Sequence, residues 1–529
     1  MTLNKRRVLA IGLDAFEISL VGPMIAEGYL PNIKRLAARS ARFRLDHSGK
    51  ATGLAWEHFS TGRSPDNQRR WSAISFDPRD YSVDQPTTVA KPFVAGLPCK
   101  AIVFDPPYFD LRNAPDVVGI TRWGAHDPGT EAFSRPESLR SELVARYGNY
   151  SATEWIYGFS WPSVEKTNAA GQALRRAVEL RSDAARWLLA DRMPDWQLAI
   201  VAVSESHSAI EQFWHGVDPS HLLHGVPSAT YAREAMLGVY QAIDGMIGNL
   251  EQAFPDATLI LFSMHGMGEN TSDLAAMFLV PELLYRHAFG RPYARPEAWS
   301  GYLPDGTPIV DDNEQWETVM QKVVPWPQVA GTTMARIRRR LGDKRPLPSQ
   351  TQAGNLGWMP AARYSTFWPS MAAFALPEYY DSWVRLNLVG REANGRVAPG
   401  QYEVTRRQIV DVIGQCRDPI RGHEVIENVV FPDKPPAEIG PTEADIYISF
   451  AAKTTGLQHP TLGTVGPVPY RRTGGHTGDW GFLYVAGLET AAGDRGTADA
   501  YDVVPTIIDL LGAPSRPDLS GISLKPRLA

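Results

Sequence analysis

The chain has 529 residues, 43% hydrophobic and 21% charged, too apolar for disorder and ordinary for a globular enzyme. Its 53 basic and 58 acidic side chains leave a net charge of −5, which gives no global electrostatic reason to expect a nucleic-acid partner. Two cysteines, Cys99 and Cys416, argue against a disulfide framework and cannot build a zinc ribbon, and the length allows one large domain with an insertion, or two domains.

The first residues are basic, and the apolar run at 8–13 is interrupted by Asp14, too short for the core of a signal peptide. No later stretch reaches the roughly 20 uninterrupted apolar residues of a membrane helix. The expectation is a cytoplasmic protein without a membrane partner. The run at 8–13 reads as a buried strand that delivers Asp14 to its C-terminal end, where ligands bind in open α/β sheets. Residues 198–203, leading into Ser204-Glu205-Ser206-His207, and residues 258–262, leading into Ser263-Met264-His265-Gly266, have the same form. Apolar residues from Met236 to Leu250 recur at helical spacing and predict a crossover helix. Residues 172–192 also read as a helix, and residues 503–512 as a helix started by proline and stopped by glycine. From about Arg286 to Glu443 prolines and tryptophans are frequent and apolar runs short, which marks an inserted cap or a set of long excursions. The basic run Arg336, Arg338, Arg339 and Arg340 within it reads as a solvated helix face or as an anion-binding patch.

Ligand-type side chains stand at strand ends or at helical spacing at Asp14, Thr52, His207 with Glu211, His265 and His476. Carboxylates and imidazoles that hold divalent ions, with a hydroxyl that can act as nucleophile, are what metal-assisted phosphoryl transfer needs. His207 and Glu211 are four apart, so on a helix they share a face, as a metal pair or as a weak surface ion pair. His476 lies between glycines that would let the backbone crowd a site or simply make a turn. No Gly-x-Ser-x-Gly elbow supports a serine hydrolase.

In combination these segments resemble the alkaline phosphatase superfamily, in the branch of type I phosphodiesterases and nucleotide pyrophosphatases. The matching elements run in the family order. They are residues 8–15 with Leu30 to Leu36, Ala51-Thr52 through Thr61-Gly62, Ser204 to His221, Phe262 to Gly268, residues 384–395, Gly475-His476, and Tyr501 to Gly512 with Ser520-Gly521. The resemblance implies an α/β fold, an alkaline-phosphatase-like α/β/α sandwich with a central, mostly parallel sheet and an inserted cap. Its core is expected at 1–285 and 444–529, with the cap at 286–443. It also implies Thr52 as catalytic nucleophile, with Ser60 as a nearby alternative outside the family position. Asp14, Thr52 and His265 would serve one metal ion, and His207, Glu211 and His476 the other.

Two positions depart from the family pattern. Where the family has Asp then His four apart, this chain has His207 and Glu211, and where it has Asp-His, this chain has Met264-His265. A thioether binds hard divalent ions poorly, so Met264 reads as a packing residue, and the expectation is one or two divalent ions, zinc first, iron or manganese otherwise. The function expected is a metal-dependent hydrolase of small-molecule phosphate or sulfate esters working through a covalent intermediate on Thr52. A phosphoryl or sulfuryl transferase of a specialised biosynthetic pathway and a noncatalytic binder of an anionic ligand are the alternatives. Of the tryptophans in the insert, Trp316, Trp326, Trp358, Trp368 and Trp383, most are expected in the core and one or two at a pocket.

Overall fold

The apolar runs that end in polar residues become the middle of a nine-stranded sheet. The computed structural model describes residues 7–47, 53–88, 90–127, 129–271, 273–296, 298–327, 348–478 and 480–529. Thr52 and the arginine run at 336–340 lie outside the described residues. In chain order the sheet receives β1 (Arg7–Leu13), β2 (Ala41–Asp46), β3 (Ala101–Phe104), β4 (Val118–Thr121), β5 (Phe133–Arg135), β6 (Leu198–Val203) and β7 (Ala257–Ser263). A separate layer follows with β8 (Ala373–Leu376), β9 (Ser382–Leu386), β10 (Ile426–Val430) and β11 (Ile446–Phe450), and then β12 (Gly481–Ala486) and β13 (Gly493–Asp499) return to the main sheet. The spatial order is β13-β2-β12-β7-β1-β6-β3-β4-β5. Its five central strands, β7-β1-β6-β3-β4, are all parallel, with Leu13 paired to Val203 and Gly12 to Phe262. Their carboxyl ends therefore meet at one edge.

Both faces of this sheet are covered, which is why its strands are continuous apolar runs. Leu9, Ile11 and Leu13 point to one side, against the helices Val164–Arg186 and Ala229–Ala253, whereas Val8 and Ala10 point to the other, against Ala55–Thr61 and Val503–Leu510. The result is the α/β/α sandwich expected. The predicted crossover helix is present and longer than its apolar stripe, and the helix expected at 172–192 starts at Val164 and ends in a π-helical turn at Trp187–Arg192. The separate layer is an antiparallel sheet, β8-β9-β11-β10. Its core holds Trp316, Trp368 and Trp383 and also takes in Phe76, Tyr81, Leu279 and Leu283.

One ion network joins the elements of the parallel edge. Arg181, fully buried on the helix Val164–Arg186, donates through Nε and Nη2 to Glu205 at 2.9–3.0 Å and through Nη1 to Asp105 at 2.9 Å. Asp105 follows β3 and also accepts from the backbone N–H groups of Trp123 and Gly124, beyond β4, at 2.7 and 2.8 Å. Removing one partner of a buried network leaves uncompensated charge behind. Arg181→Met is therefore expected to lower the unfolding free energy by about 3–5 kcal/mol, measured by urea denaturation; a loss under about 1 kcal/mol would show that Glu205 and Asp105 find other partners.

Candidate active site

The site forms where the parallel strands end. Asp14 follows β1, and the next residue, Ala15, turns the chain in a left-handed conformation, φ 55°, a strained backbone of the kind that collects at functional sites. Beyond β6 the helix Glu205–Val217 begins at the residue Arg181 holds, and it presents His207 and Glu211 one turn apart on one face, with His207 Nε2 3.6 Å from Glu211 Oε1. His476 reaches them because the chain before it is glycine. A Cβ on Gly474 would lie 2.1 Å from the Ile210 carbonyl of that helix, so only glycine lets the segment pass this closely. The His207 and His476 rings are 4.7 Å apart, and one ligand atom from each of His207, Glu211 and His476 lies within 4.8 Å of the others.

Asp14 lies beside this trio. Its Oδ2 faces His207 Nδ1 at 3.1 Å, its Oδ1 accepts from the Trp56 indole N–H at 2.8 Å, and His265 Nε2 stands 3.9 Å from Oδ1. Trp56 can lie there because the strand residue beneath it is Gly12, whose Cβ would meet the indole at 2.6 Å. His265 Nδ1 is 3.0 Å from the Gly266 carbonyl. A carbonyl only accepts, so Nδ1 carries the proton and Nε2 keeps its lone pair. Met264 is buried in the apolar cluster with Trp56, Phe59 and Phe262.

Two site residues carried no signal in the sequence. His126, in the turn after β4, stacks on His207 at 3.8 Å with 16° between the rings, and its Nε2 lies 3.7 Å from Glu211 Oε2. Arg472 forms an ion pair with Glu211. Neither sits in a spacing pattern; His126 is brought in by the Asp105 anchor, and Arg472 by the glycine segment that follows it.

The electrostatics follow from burial and from these pairs. Burial alone would lower the pKa of His207, but the charge of Asp14, its hydrogen bond to Asp14 and the nearby charge of Glu211 raise it to about 9. Burial would raise both carboxylates; instead Arg472 and the two imidazoles hold Glu211 well below the usual range, and His207 lowers Asp14. Burial, reinforced by the neighbouring histidines His207 and His265, pushes His476 well below the ordinary imidazole value. His207 Nε2, Glu211 Oε2 and His126 Nε2 are all buried without a hydrogen-bond partner. Each such atom costs about 1–3 kcal/mol, and the nitrogen and carboxylate atoms that His207, Glu211 and His476 bring within 4.8 Å of one another suit a divalent ion of the zinc, iron or manganese type. The residues fit such an ion.

A family model described as type I phosphodiesterase / nucleotide pyrophosphatase matches residues 8–295. The chain belongs to this family, a branch of the alkaline phosphatase superfamily of metal-dependent phosphoester hydrolases. No curated protein matches the chain. Among solved structures it is similar to the alkaline phosphatase PafA, at 11% identity over 99% of each chain with a TM-score of 0.50. Murine ectonucleotide pyrophosphatase / phosphodiesterase 5 matches at 11% identity over 99% of this chain and 100% of that one, with a TM-score of 0.46. Phosphonoacetate hydrolase from Sinorhizobium meliloti 1021 matches at 14% identity over 97% and 96%, with a TM-score of 0.45.

In this phosphodiesterase-family chain the site is the floor of a cavity of about 550 Å³. Asp14, His207, Glu211, His265 and His476 line it together with Gly53, the neighbour of Thr52. Ser60 does not, being fully buried in its helix. The separate layer supplies Trp358, Tyr379 and Tyr380 to the walls, and Arg471, held by Asp273 at 2.8 Å and Glu317 at 3.1 Å, lies beside Trp358. Tyr380 ties the layer to the floor: its hydroxyl donates to the Gly53 carbonyl at 3.1 Å, and its ring stands edge-on to His476 at 4.4 Å. Gly53 has φ 66°, and a Cβ there would lie 1.8 Å from the Tyr380 ring. Gly53→Ala is expected to destabilise the fold by about 1–3 kcal/mol through overpacking, read from denaturant midpoints. Adding Tyr380→Ala should recover part of the loss; strict additivity of the two changes would argue against the contact.

Proposed function

We propose that this chain hydrolyses small-molecule phosphodiesters, with Thr52 as the nucleophile and a divalent ion, zinc in the first instance, held by His207, Glu211 and His476. The observation that carries this reading is the convergence of those three side chains, two of them with unpartnered buried atoms, on the floor of a cavity. Family membership supports hydrolysis of phosphoesters, and the buried position of Met264 supports its reading as packing rather than as a ligand.

In the proposed reaction the Thr52 oxygen attacks phosphorus, an O–P bond forms, the bond to the leaving alcohol breaks, and the threonyl ester is then cleaved by water. When bound, the ion supplies Lewis-acid stabilisation of the charge on the phosphoryl oxygens. The chain's own groups do the rest. His265 accepts the threonine proton at Nε2, whose lone pair is held free by the Gly266 carbonyl. Arg472 keeps Glu211 ionised and oriented. Tyr380 holds the Gly53 carbonyl at the cavity wall. The separate layer acts as a cap that narrows the cavity to small esters and excludes water.

The test is turnover of bis(p-nitrophenyl) phosphate. Thr52→Ala is expected to lower kcat on the order of 10⁴-fold while leaving metal content unchanged, and dialysis against a chelator should abolish activity until zinc is restored. Full activity of Thr52→Ala would remove the nucleophile assignment. Metal-replete wild type without turnover would favour a noncatalytic binder.

A further inference from the structure

Asp14 is the residue whose surroundings accord least with a role as metal ligand. Each of its oxygens already has a partner, the Trp56 indole on Oδ1 and His207 Nδ1 on Oδ2, and Gly12 leaves the space that brings the indole there. On the opposite edge of its ring His207 keeps Nε2 buried and without a hydrogen-bond partner, facing Glu211 in the group that His476 completes. An imidazole that turns one nitrogen to a carboxylate and the other to a group of donors has the arrangement in which an outer carboxylate fixes the tautomer and direction of a metal-binding histidine.

Charge and ring geometry point the same way. Among the described residues the candidate metal-binding groups contain two carboxylates, Asp14 and Glu211, and Arg472 is paired with Glu211. One negative charge is left over, enough to accommodate a single dication, whereas two dications in this buried space would repel each other with little to offset them. Among the described residues no third histidine, cysteine or carboxylate joins Asp14 and His265 in a candidate group. His126 does group with Asp14 and His207, but its ring is stacked nearly parallel to that of His207. Nitrogen lone pairs lie in the ring plane, so two stacked rings cannot aim at one ion.

We infer that the centre is mononuclear: one divalent ion bound by His207 Nε2, Glu211 and His476, with Asp14 as a positioning residue that orients His207 and is itself held by Trp56. This rests on the metal-dependent reading above and replaces a two-ion centre with one ion and a carboxylate–histidine relay.

The experiment is metal binding by the full chain, stripped with a chelator and titrated with Zn²⁺. Stoichiometry is read by elemental analysis and affinity by competition with a chromophoric chelator, with circular dichroism to confirm folding. Wild type is expected to bind one ion. Asp14→Asn should still bind one ion, with affinity weakened about 10–100-fold. Trp56→Phe should bind one ion with a smaller weakening, and His476→Ala should bind none at the concentrations that saturate wild type. Two ions in wild type, or complete loss of binding by folded Asp14→Asn, would make Asp14 a ligand and overturn the inference while leaving the phosphodiesterase reading intact. Should Asp14→Asn fail to fold, the wild-type count and Trp56→Phe still decide, since two ions in either overturns the inference. No ion bound by wild type would overturn both.

Discussion

The site depends on one buried cation. Arg181 sits on the helix Val164–Arg186, and its guanidinium holds Glu205, the first residue of the helix that carries His207 and Glu211, and Asp105, whose carboxylate fastens the turn that carries His126. A charge taken out of water is tolerated only when its hydrogen bonds are filled, and here the filling is done by the elements that must be in register for the site to exist. The geometry of the cluster is therefore coupled to the stability of the sheet edge rather than left to loop packing.

A second constraint is close approach. The donors converge because glycine stands wherever another side chain would intervene: Gly12 under Trp56, Gly474 against the Ile210 carbonyl, and Gly53 under Tyr380. Each contact brings a polar group to a defined place, respectively the indole N–H on Asp14, His476 beside His207, and a phenol on the segment that follows Thr52. Trp56 is the most consequential. It gives Asp14 a fixed neutral donor at 2.8 Å.

The separate layer supplies walls to the cavity. Its core is built from tryptophans and from strands far apart in the chain, and it lends the cavity aromatic walls and the ion-paired Arg471. Field strength in such a space is greater than at an open surface, because fewer waters screen it. The same enclosure leaves unpartnered nitrogen and oxygen atoms at the floor with no access to solvent, which suits them to a bound ion.

Much of this was legible in the residues alone. Continuous apolar runs ending in acids specify buried parallel strands whatever surrounds them, since a strand covered on both faces has no polar side. The i, i+4 spacing of His207 and Glu211 places them together once a helix forms. The ordered motifs from Asp14 to His476 were sufficient for the fold, and of the five tryptophans named in the sequence Trp316, Trp368 and Trp383 lie in the core, Trp326 packs half-buried against it and Trp358 lines the cavity. The partner of each atom was not legible. That Asp14 faces an indole and an imidazole, that His126 stacks on His207, and that Arg472 neutralises Glu211 are contacts between residues 42 to 261 positions apart or in turns without periodicity. Strand and helix patterns are local, determined by burial and by the period of the backbone, and they are written in neighbouring residues. The charge balance and ligand geometry of the centre are set by which distant segments pack at one sheet edge, and only the tertiary structure decides that.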